Sequence, residues 1–181
     1  ADFDDAPMRT PYVTDSCRGK VRTFYYDKST NKINAINRDM DKIQDKWDIL
    51  VNMSDDMAFL EKGFDNDIRK AFTDGLDWFV HFPDNNRRDI CTLSIMGYDY
   101  YKRFNYIYHP DYITVCCDEE ATEVAQKLSK YKFVDKVIVR HNHPGYGTAD
   151  WDELYRRNEA QTIYDKDRET LKMRRWNNYG L

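Results

Sequence analysis

Two histidines separated by one residue end the most apolar strand-like stretch of the chain. His141 and His143 follow a run of three consecutive β-branched residues, Val137 to Val139. Because side chains alternate across a strand, the two imidazoles are expected to point to the same side. Each can then offer one nitrogen to a shared metal ion at ~2.0–2.1 Å. The spacing therefore indicates a metal site at the end of a strand.

A tight turn after the histidines leads to two aspartates. Pro144 lacks a backbone N–H and ends the strand ladder, while Gly145 and Gly147 allow a sharp return. The return is expected to bring Asp150, near the start of the next helix, back toward the imidazoles. Two histidines and one carboxylate leave a fourth zinc position open, as in catalytic sites. Asp152 is the alternative third ligand.

The elements around this motif predict an α/β domain with a mixed sheet flanked by helices. A helix is expected to begin near Asp118, with strands at 111–117 and 134–140. Strand, helix and strand at this spacing form a βαβ unit, so these two strands are expected to be parallel. Other strands are predicted at 89–97 and 103–109. Residues 161–177 are predicted to form a β-hairpin.

The first half of the chain has a different pattern. Residues 21–36 predict two strands around a polar turn. Residues 37–82 carry apolar side chains at intervals of three and four, which indicates helices. We therefore expect residues 1–88 to form a hairpin and helical region packed on a core at 89–181.

The composition argues against several classes of protein. The chain has 181 residues, of which 41% are hydrophobic, enough for one domain with a real core. A net charge of −4 without a basic stripe disfavours nucleic-acid binding. No apolar run approaches the ~18–20 residues of a membrane span. The four cysteines contain no C-x-x-C pair, which indicates structural thiols in a reducing compartment rather than a thiolate zinc site.

The string RHNHPG, with an aspartate after it, resembles the metal motif of the JAB/MPN (JAMM) metallopeptidases, His-x-His-Pro followed by Ser-x-x-Asp. The stretch VIVRHNHPG is most similar to the RadC-like branch and to the JAB-like domains at the C-termini of bacterial polymorphic toxins. The resemblance covers residues 89–176. It implies a JAB/MPN-like mixed sheet and a Zn²⁺ ion held by His141, His143 and Asp150.

The same resemblance implies catalytic residues. The family's general acid/base, a Glu at the start of the first core strand, corresponds to Asp89. Its Ser, which helps to hold the tetrahedral intermediate, falls at Gly147, and the nearest hydroxyl is that of Thr148. Because Asp is one methylene shorter than Glu, Glu119 and Glu120 are kept as alternative bases.

The activity implied is that of a zinc-dependent peptidase or isopeptidase that uses a metal-activated water on a protein substrate. The resemblance further suggests the C-terminal toxin domain of a larger secreted bacterial protein, with a cognate immunity protein, acting in the cytoplasm. The chain begins at Ala1 without a visible signal peptide, and we expect it to be a piece of something longer. A non-catalytic metal-binding interaction module is the alternative, motivated by Asp89 and the missing Ser. A nucleic-acid enzyme is the third hypothesis, against which the acidic charge argues.

Overall fold

The computed structural model describes Thr10 and residues 28–43 and 45–181. Its helices and strands are, in chain order, α1 (Lys32–Asn37), β1 (Ile49–Asn52), β2 (Met57–Phe59), α2 (Phe64–Lys70), β3 (Phe79–His81), β4 (Ser94–Gly97), α3 (Tyr98–Tyr101), α4 (Cys117–Lys127), β5 (Tyr131–Phe133), β6 (Val139–His141), α5 (Glu153–Asn158) and α6 (Gln161–Trp176). Short 3₁₀ turns lie at Met40–Lys42, Pro144–Tyr146 and Asn178–Gly180. The predicted α/β class with a mixed sheet is confirmed, while the JAB/MPN-like arrangement stays a prediction.

Four strands form the main sheet, in the order β1–β4–β3–β5. Strand β4 pairs antiparallel with β1 and β3, whereas β3 pairs parallel with β5. Every residue of β3 and β4 is buried, which suits strands covered on both faces. Strands from both sides of residue 88 share this sheet, so the predicted division into 1–88 and 89–181 does not separate two sheets.

The core has two apolar clusters, one on each face of this sheet. Phe79 and Met96 lie opposite each other and belong to one cluster. Their neighbours Val80 and Ile95 also lie opposite each other and belong to the second cluster. Adjacent residues of a strand face opposite sides, which explains the division. The second cluster includes the fully buried Val139, and it therefore anchors the strand that precedes the histidine motif.

A separate two-stranded sheet carries the histidine motif. Strand β6 pairs antiparallel with β2, and Met57 lies opposite His141. The prediction that this strand is the parallel partner of the segment before α4 is wrong. The chain leaves α4 at Lys127 and enters β5 at Tyr131. Strand β5 then pairs parallel with β3, so the parallel pair beside α4 is β3 and β5.

The strands predicted at 103–109 and 111–117 are also wrong, since the chain is irregular from the end of α3 to the start of α4. Side chains satisfy the backbone there in place of a strand ladder. Asn37 accepts hydrogen bonds from the N–H groups of residues 107 and 108. The fully buried carboxylate of Asp167 accepts from the N–H groups of residues 113 to 115. Buried N–H groups need partners, and these two side chains supply them.

Some of the predicted helices are confirmed, whereas the predicted hairpin near the end of the chain is wrong. The helices expected after 118 and after 150 are confirmed as α4 and α5. The hairpin at 161–177 is wrong, because this segment is α6, which buries Asp167 and Leu171 four residues apart on one face. The helical region at 37–82 contains β1, β2 and β3 besides α2. Of the hairpin at 21–36, the end belongs to α1 and residues 21–27 lie outside the described residues.

The cysteines that the structure describes lie in the interior. Cys91, Cys116 and Cys117 are buried free thiols, and burial raises the pKa of each. Cys17 lies outside the described residues.

Within the described chain, every helix is too short or too polar to cross a membrane.

Candidate functional site

His141 and His143 line a single cleft of about 820 Å³. Their ring centroids are 5.4 Å apart, with the rings at a steep angle to each other. Asp56, Tyr155 and Glu159 line the same cleft. The end of β6 therefore brings both imidazoles to one cavity, and segments distant in the chain supply acidic and phenolic groups around them.

His141 is held between two carboxylates. Its Nδ1 lies 3.1 Å from Oδ2 of Asp84, and its Nε2 lies 3.1 Å from Oδ2 of Asp56. Burial alone would lower the pKa of the imidazole, but the hydrogen bonds and charges of the two aspartates outweigh it and raise the pKa to about 9. The two carboxylates therefore favour the protonated form of His141 over the neutral one.

Asp84 is fixed by a turn of its own. One carboxylate oxygen accepts the backbone N–H groups of Asn86 and Arg87, both at 2.6 Å. The other accepts the hydroxyl of Thr92 at 2.7 Å as well as facing His141. Burial would raise the pKa of Asp84, but these hydrogen bonds lower it to about 2. A rigid, charged carboxylate therefore holds the Nδ1 side of the imidazole.

The pairing of β2 with β6 puts Asp56 beside His141. The backbone carbonyl of Asp56 accepts the N–H of Asn142 at 2.9 Å, which continues the ladder between the two strands. Its Oδ2 also accepts the hydroxyl of Tyr155 at 2.5 Å. Its Oδ1 is buried and makes no hydrogen bond of good geometry with the described residues, although the Ser54 side chain is near enough to help lower the pKa of the carboxylate. A buried carboxylate oxygen without a good hydrogen bond is costly, so this position calls for a partner.

His143 faces a different carboxylate. Its Nε2 lies 2.7 Å from Oε1 of Glu159, and its Nδ1 accepts the backbone N–H of Gly145 at 3.1 Å. The edge of the Tyr155 ring packs against it at a centroid distance of 5.3 Å. In this arrangement Nε2 donates to Glu159, so a metal ion at Nε2 would require the proton to move to Nδ1 and the Gly145 contact there to be released. Both histidines therefore present Nε2 to a carboxylate in the cleft.

The turn after His143 is closed by Thr148. Its hydroxyl accepts the backbone N–H of His143 at 2.8 Å and donates to the carbonyl of the same residue at 3.1 Å. Gly147 adopts a left-handed φ of +70°, which suits a residue without a side chain. Both hydrogen bonds of Thr148 serve the backbone, and its catalytic role stays a prediction.

The two aspartates after the turn have separate positions. Asp150 is exposed and lines the cleft, and no hydrogen bond joins it to either imidazole in the described structure. Asp152 caps α5 by accepting the N–H of Tyr155 at 2.8 Å. Among the described residues, no group of three or more His, Cys, Asp and Glu side chains is arranged to hold a metal ion. The structure thus joins His141 and His143 without Asp150, and zinc binding by these three stays a prediction.

The predicted bases lie in other surroundings. Arg87 donates two hydrogen bonds to Asp89, at 2.8 and 2.7 Å, and lowers its pKa to about 2. Asp89 is largely exposed and lines a second, polar pocket next to α4. Glu119 and Glu120 make ion pairs with Arg175 and Arg174 of α6. None of the three lines the histidine cleft.

Sequence reasoning missed four residues of this site: Asp56, Asp84, Tyr155 and Glu159. Asp84 belongs to the Pro-Asp-Asn-Asn string, which indicated only a turn. Asp56 was placed in a predicted helix. Its contact with His141 spans 85 positions of the chain, and no local pattern carries that information.

Comparison with known proteins gives this chain no family. No family model, no curated protein and no solved structure matches it. The chemistry of the cleft is therefore argued from its own residues.

Proposed function

We propose that the protein is a zinc-dependent hydrolase of peptide or isopeptide bonds, with the metal held by His141 and His143. The observation that carries the proposal is that each imidazole directs Nε2 toward a carboxylate in one cleft, Asp56 for the first and Glu159 for the second. Two histidines with a carboxylate are the protein ligands of one class of catalytic zinc site.

Asp56 is the third ligand in this proposal, in place of Asp150. Its Oδ1 is buried and makes no hydrogen bond of good geometry, and a cation would satisfy it. Asp84 supports the site from behind, because a carboxylate on Nδ1 of His141 leaves Nε2 directed to the ion. Metal-binding histidines usually have such a partner on the other ring nitrogen. Asp56 contacts His141 whereas Asp150 contacts neither imidazole, which favours Asp56; a metal ion would still have to draw the three side chains together, because the described residues contain no ready-made group of three.

A bound zinc ion would supply Lewis-acid polarisation of the scissile carbonyl and an activated water. Glu159 is the proposed proton carrier, since its carboxylate lies in the cleft beside His143 and remains partly exposed to solvent. Tyr155 orients Asp56 through the hydroxyl-to-carboxylate hydrogen bond. Resemblance to the JAB/MPN metallopeptidases favours the same reaction class, and in that reading Asp89 is the rival proton carrier.

A cleavage assay tests the proposal. Purified protein is incubated with folded proteins, unfolded peptides and ubiquitin-like conjugates, with zinc and after removal of the metal by a chelator. The proposal predicts cleavage that disappears with the chelator, returns with zinc, and is absent from His143→Ala in both conditions. Cleavage that persists in the chelator, or no cleavage by a zinc-loaded wild type, would contradict it.

A non-catalytic metal-binding interaction module is the second candidate. It is favoured by the position of Asp89, which binds Arg87 and lines the pocket beside α4 rather than the histidine cleft. Under this hypothesis zinc binds and stabilises the fold, but no substrate is cut. The zinc-loaded wild type in the cleavage assay distinguishes the two.

A further inference from the structure

The wall of the histidine cleft is strongly acidic. Seven aspartate and glutamate side chains line it, against one lysine and one arginine. With the histidines counted as neutral, the cleft has a formal excess of five negative charges, or four without Asp118, whose pKa is raised by burial; the whole chain has −4. The negative charge of this protein is concentrated where the proposed chemistry takes place.

Most of these carboxylates form no ion pair with a lysine or an arginine. Asp39 forms ion pairs with Arg38 and Lys42. The other six make no ion pair with a lysine or arginine among the described residues, namely Asp55, Asp56, Asp118, Asp150, Asp152 and Glu159. Elsewhere the acidic residues are commonly paired, as Asp77 is with Arg103 and Lys130. The unbalanced charge is therefore a property of the cleft.

Unbalanced charge in a concave site acts on a ligand more strongly than the same charge on a flat surface. A cleft lined by one sign of charge focuses the field and raises the local concentration of oppositely charged ligands. A volume of about 820 Å³ lies within the range of ligand sites, so a peptide segment can enter it. Phosphate backbones would be repelled, which agrees with the absence of a basic stripe.

We propose that the histidine cleft takes a lysine- or arginine-rich peptide segment as its substrate. This inference rests on the proposed hydrolase function for the cutting step, but the binding preference follows from the charges alone. A cationic side chain on either side of the scissile bond would lie against Asp55 or Asp152, which are exposed residues of the cleft wall, and leave the carboxylates at the imidazoles free for the chemistry.

Binding is measured first, in the presence of a chelator so that no cleavage occurs. Two fluorescent ten-residue peptides are compared, one of alternating Lys and Gly and one of alternating Glu and Gly. The Lys peptide is expected to bind at least about tenfold more tightly, and to lose affinity when sodium chloride rises from about 0.05 to 0.5 M. Equal affinity for the two peptides would overturn the inference.

A matched pair of double variants locates the effect. Asp55→Asn with Asp152→Asn removes two charges from the cleft and keeps a good helix cap at 152. Asp65→Asn with Glu169→Gln removes two exposed charges elsewhere. The cleft variant is expected to bind the Lys peptide about five- to tenfold more weakly, and the control less than about twofold. Equal losses in both variants would mean a general charge effect and would also overturn the inference.

Hydrolysis separates this inference from the proposed function. Zinc-loaded protein that cuts neutral and basic peptides equally well would retain the function and refute the basic preference. Preferred binding of the Lys peptide without cleavage of any substrate would retain the preference and refute the hydrolase.

Discussion

His141 and Asp84 are joined by a hydrogen bond of 3.1 Å between Nδ1 and Oδ2, although 57 positions of the chain separate them. The Asp84 side chain is fully buried, and its other oxygen is occupied by two backbone N–H groups. The imidazole is thus fixed from its buried side, and Nε2 is the nitrogen that faces Asp56 and the cleft.

The first prediction concerns this orientation. Asp84→Asn keeps the shape of the side chain but removes the charge that holds Nδ1. We expect zinc affinity to fall by about 10- to 100-fold, the usual effect of losing such a partner. Competition with a fluorescent chelator measures it. Asp135→Asn, which changes an exposed carboxylate paired with Arg88, is the control and should match wild type. Wild-type affinity in Asp84→Asn would show that this contact does not support the site.

The second prediction concerns the third ligand. We expect Asp56→Asn to lose bound zinc and Asp150→Asn to retain it, because Asp56 contacts His141 and has a buried oxygen that makes no hydrogen bond of good geometry. Asp152→Asn should also retain zinc, since Asn caps a helix as well as Asp does. Metal content per folded chain decides among the three variants. The reverse result for 56 and 150 would restore the ligand set that the family resemblance implies.

The third prediction separates proton transfer from metal binding. Glu159→Gln should leave zinc bound and lower the rate of hydrolysis by about 10²- to 10⁴-fold, the typical contribution of a positioned acid or base. Asp89→Asn should leave both unchanged, because Asp89 is bound by Arg87 beside α4. If Asp89→Asn abolished hydrolysis and Glu159→Gln did not, the base would be the one that the sequence resemblance indicates.

The histidine pair could be predicted from the sequence because its geometry is local. His141 ends β6 and His143 continues the same extended backbone two residues on, so alternation of side chains puts both imidazoles on one side. The carboxylates around them could not be predicted, since Asp56 and Asp84 arrive through strand pairing and through a loop turn. The residues next to the histidines carry no pattern that indicates either this strand pairing or this turn.

The secondary structure could be predicted where the packing agrees with the local sequence pattern. It could not be predicted where distant side chains, rather than a neighbouring strand, bind the backbone N–H groups. Helix α4 begins beside Asp118, as expected, and the acidic residues of its first turn are the kind that a helix N-terminus favours. The segments at 103–109 and 111–117 are rich in aromatic and β-branched residues, so they indicated strands. Asn37 and Asp167 bind their backbone instead, and these distant polar residues decide the outcome.

The fourth prediction concerns pH and a histidine outside the cleft. His81 is fully buried, with Nδ1 at 2.6 Å from the hydroxyl of Tyr131 and Nε2 without a partner among the described residues. Burial lowers its pKa to about 4. Below the unfolded pKa of about 6.5 the unfolded chain therefore binds a proton that the folded chain does not, and stability falls as pH falls.

Urea unfolding at pH 6.5 and pH 5 measures this contribution. Wild type should lose about 1.6 kcal/mol more unfolding free energy between these values than His81→Gln, which is less than the full value of about 1.4 kcal/mol per pH unit because the unfolded imidazole is only about half protonated at pH 6.5. Parallel pH dependence in the two proteins would mean that His81 is protonated without cost in the folded state.

The most direct test of the account is the zinc content of the purified chain after dialysis against metal-free buffer, measured beside His143→Ala. The account predicts about one zinc per wild-type chain and almost none in the variant, with both proteins folded by circular dichroism. It also predicts that a chelator lowers the melting temperature of wild type and leaves that of the variant unchanged, since an ion that binds only the folded state stabilises it. Equal, negligible zinc in both proteins, or equal zinc in both, would contradict a metal site at His141 and His143.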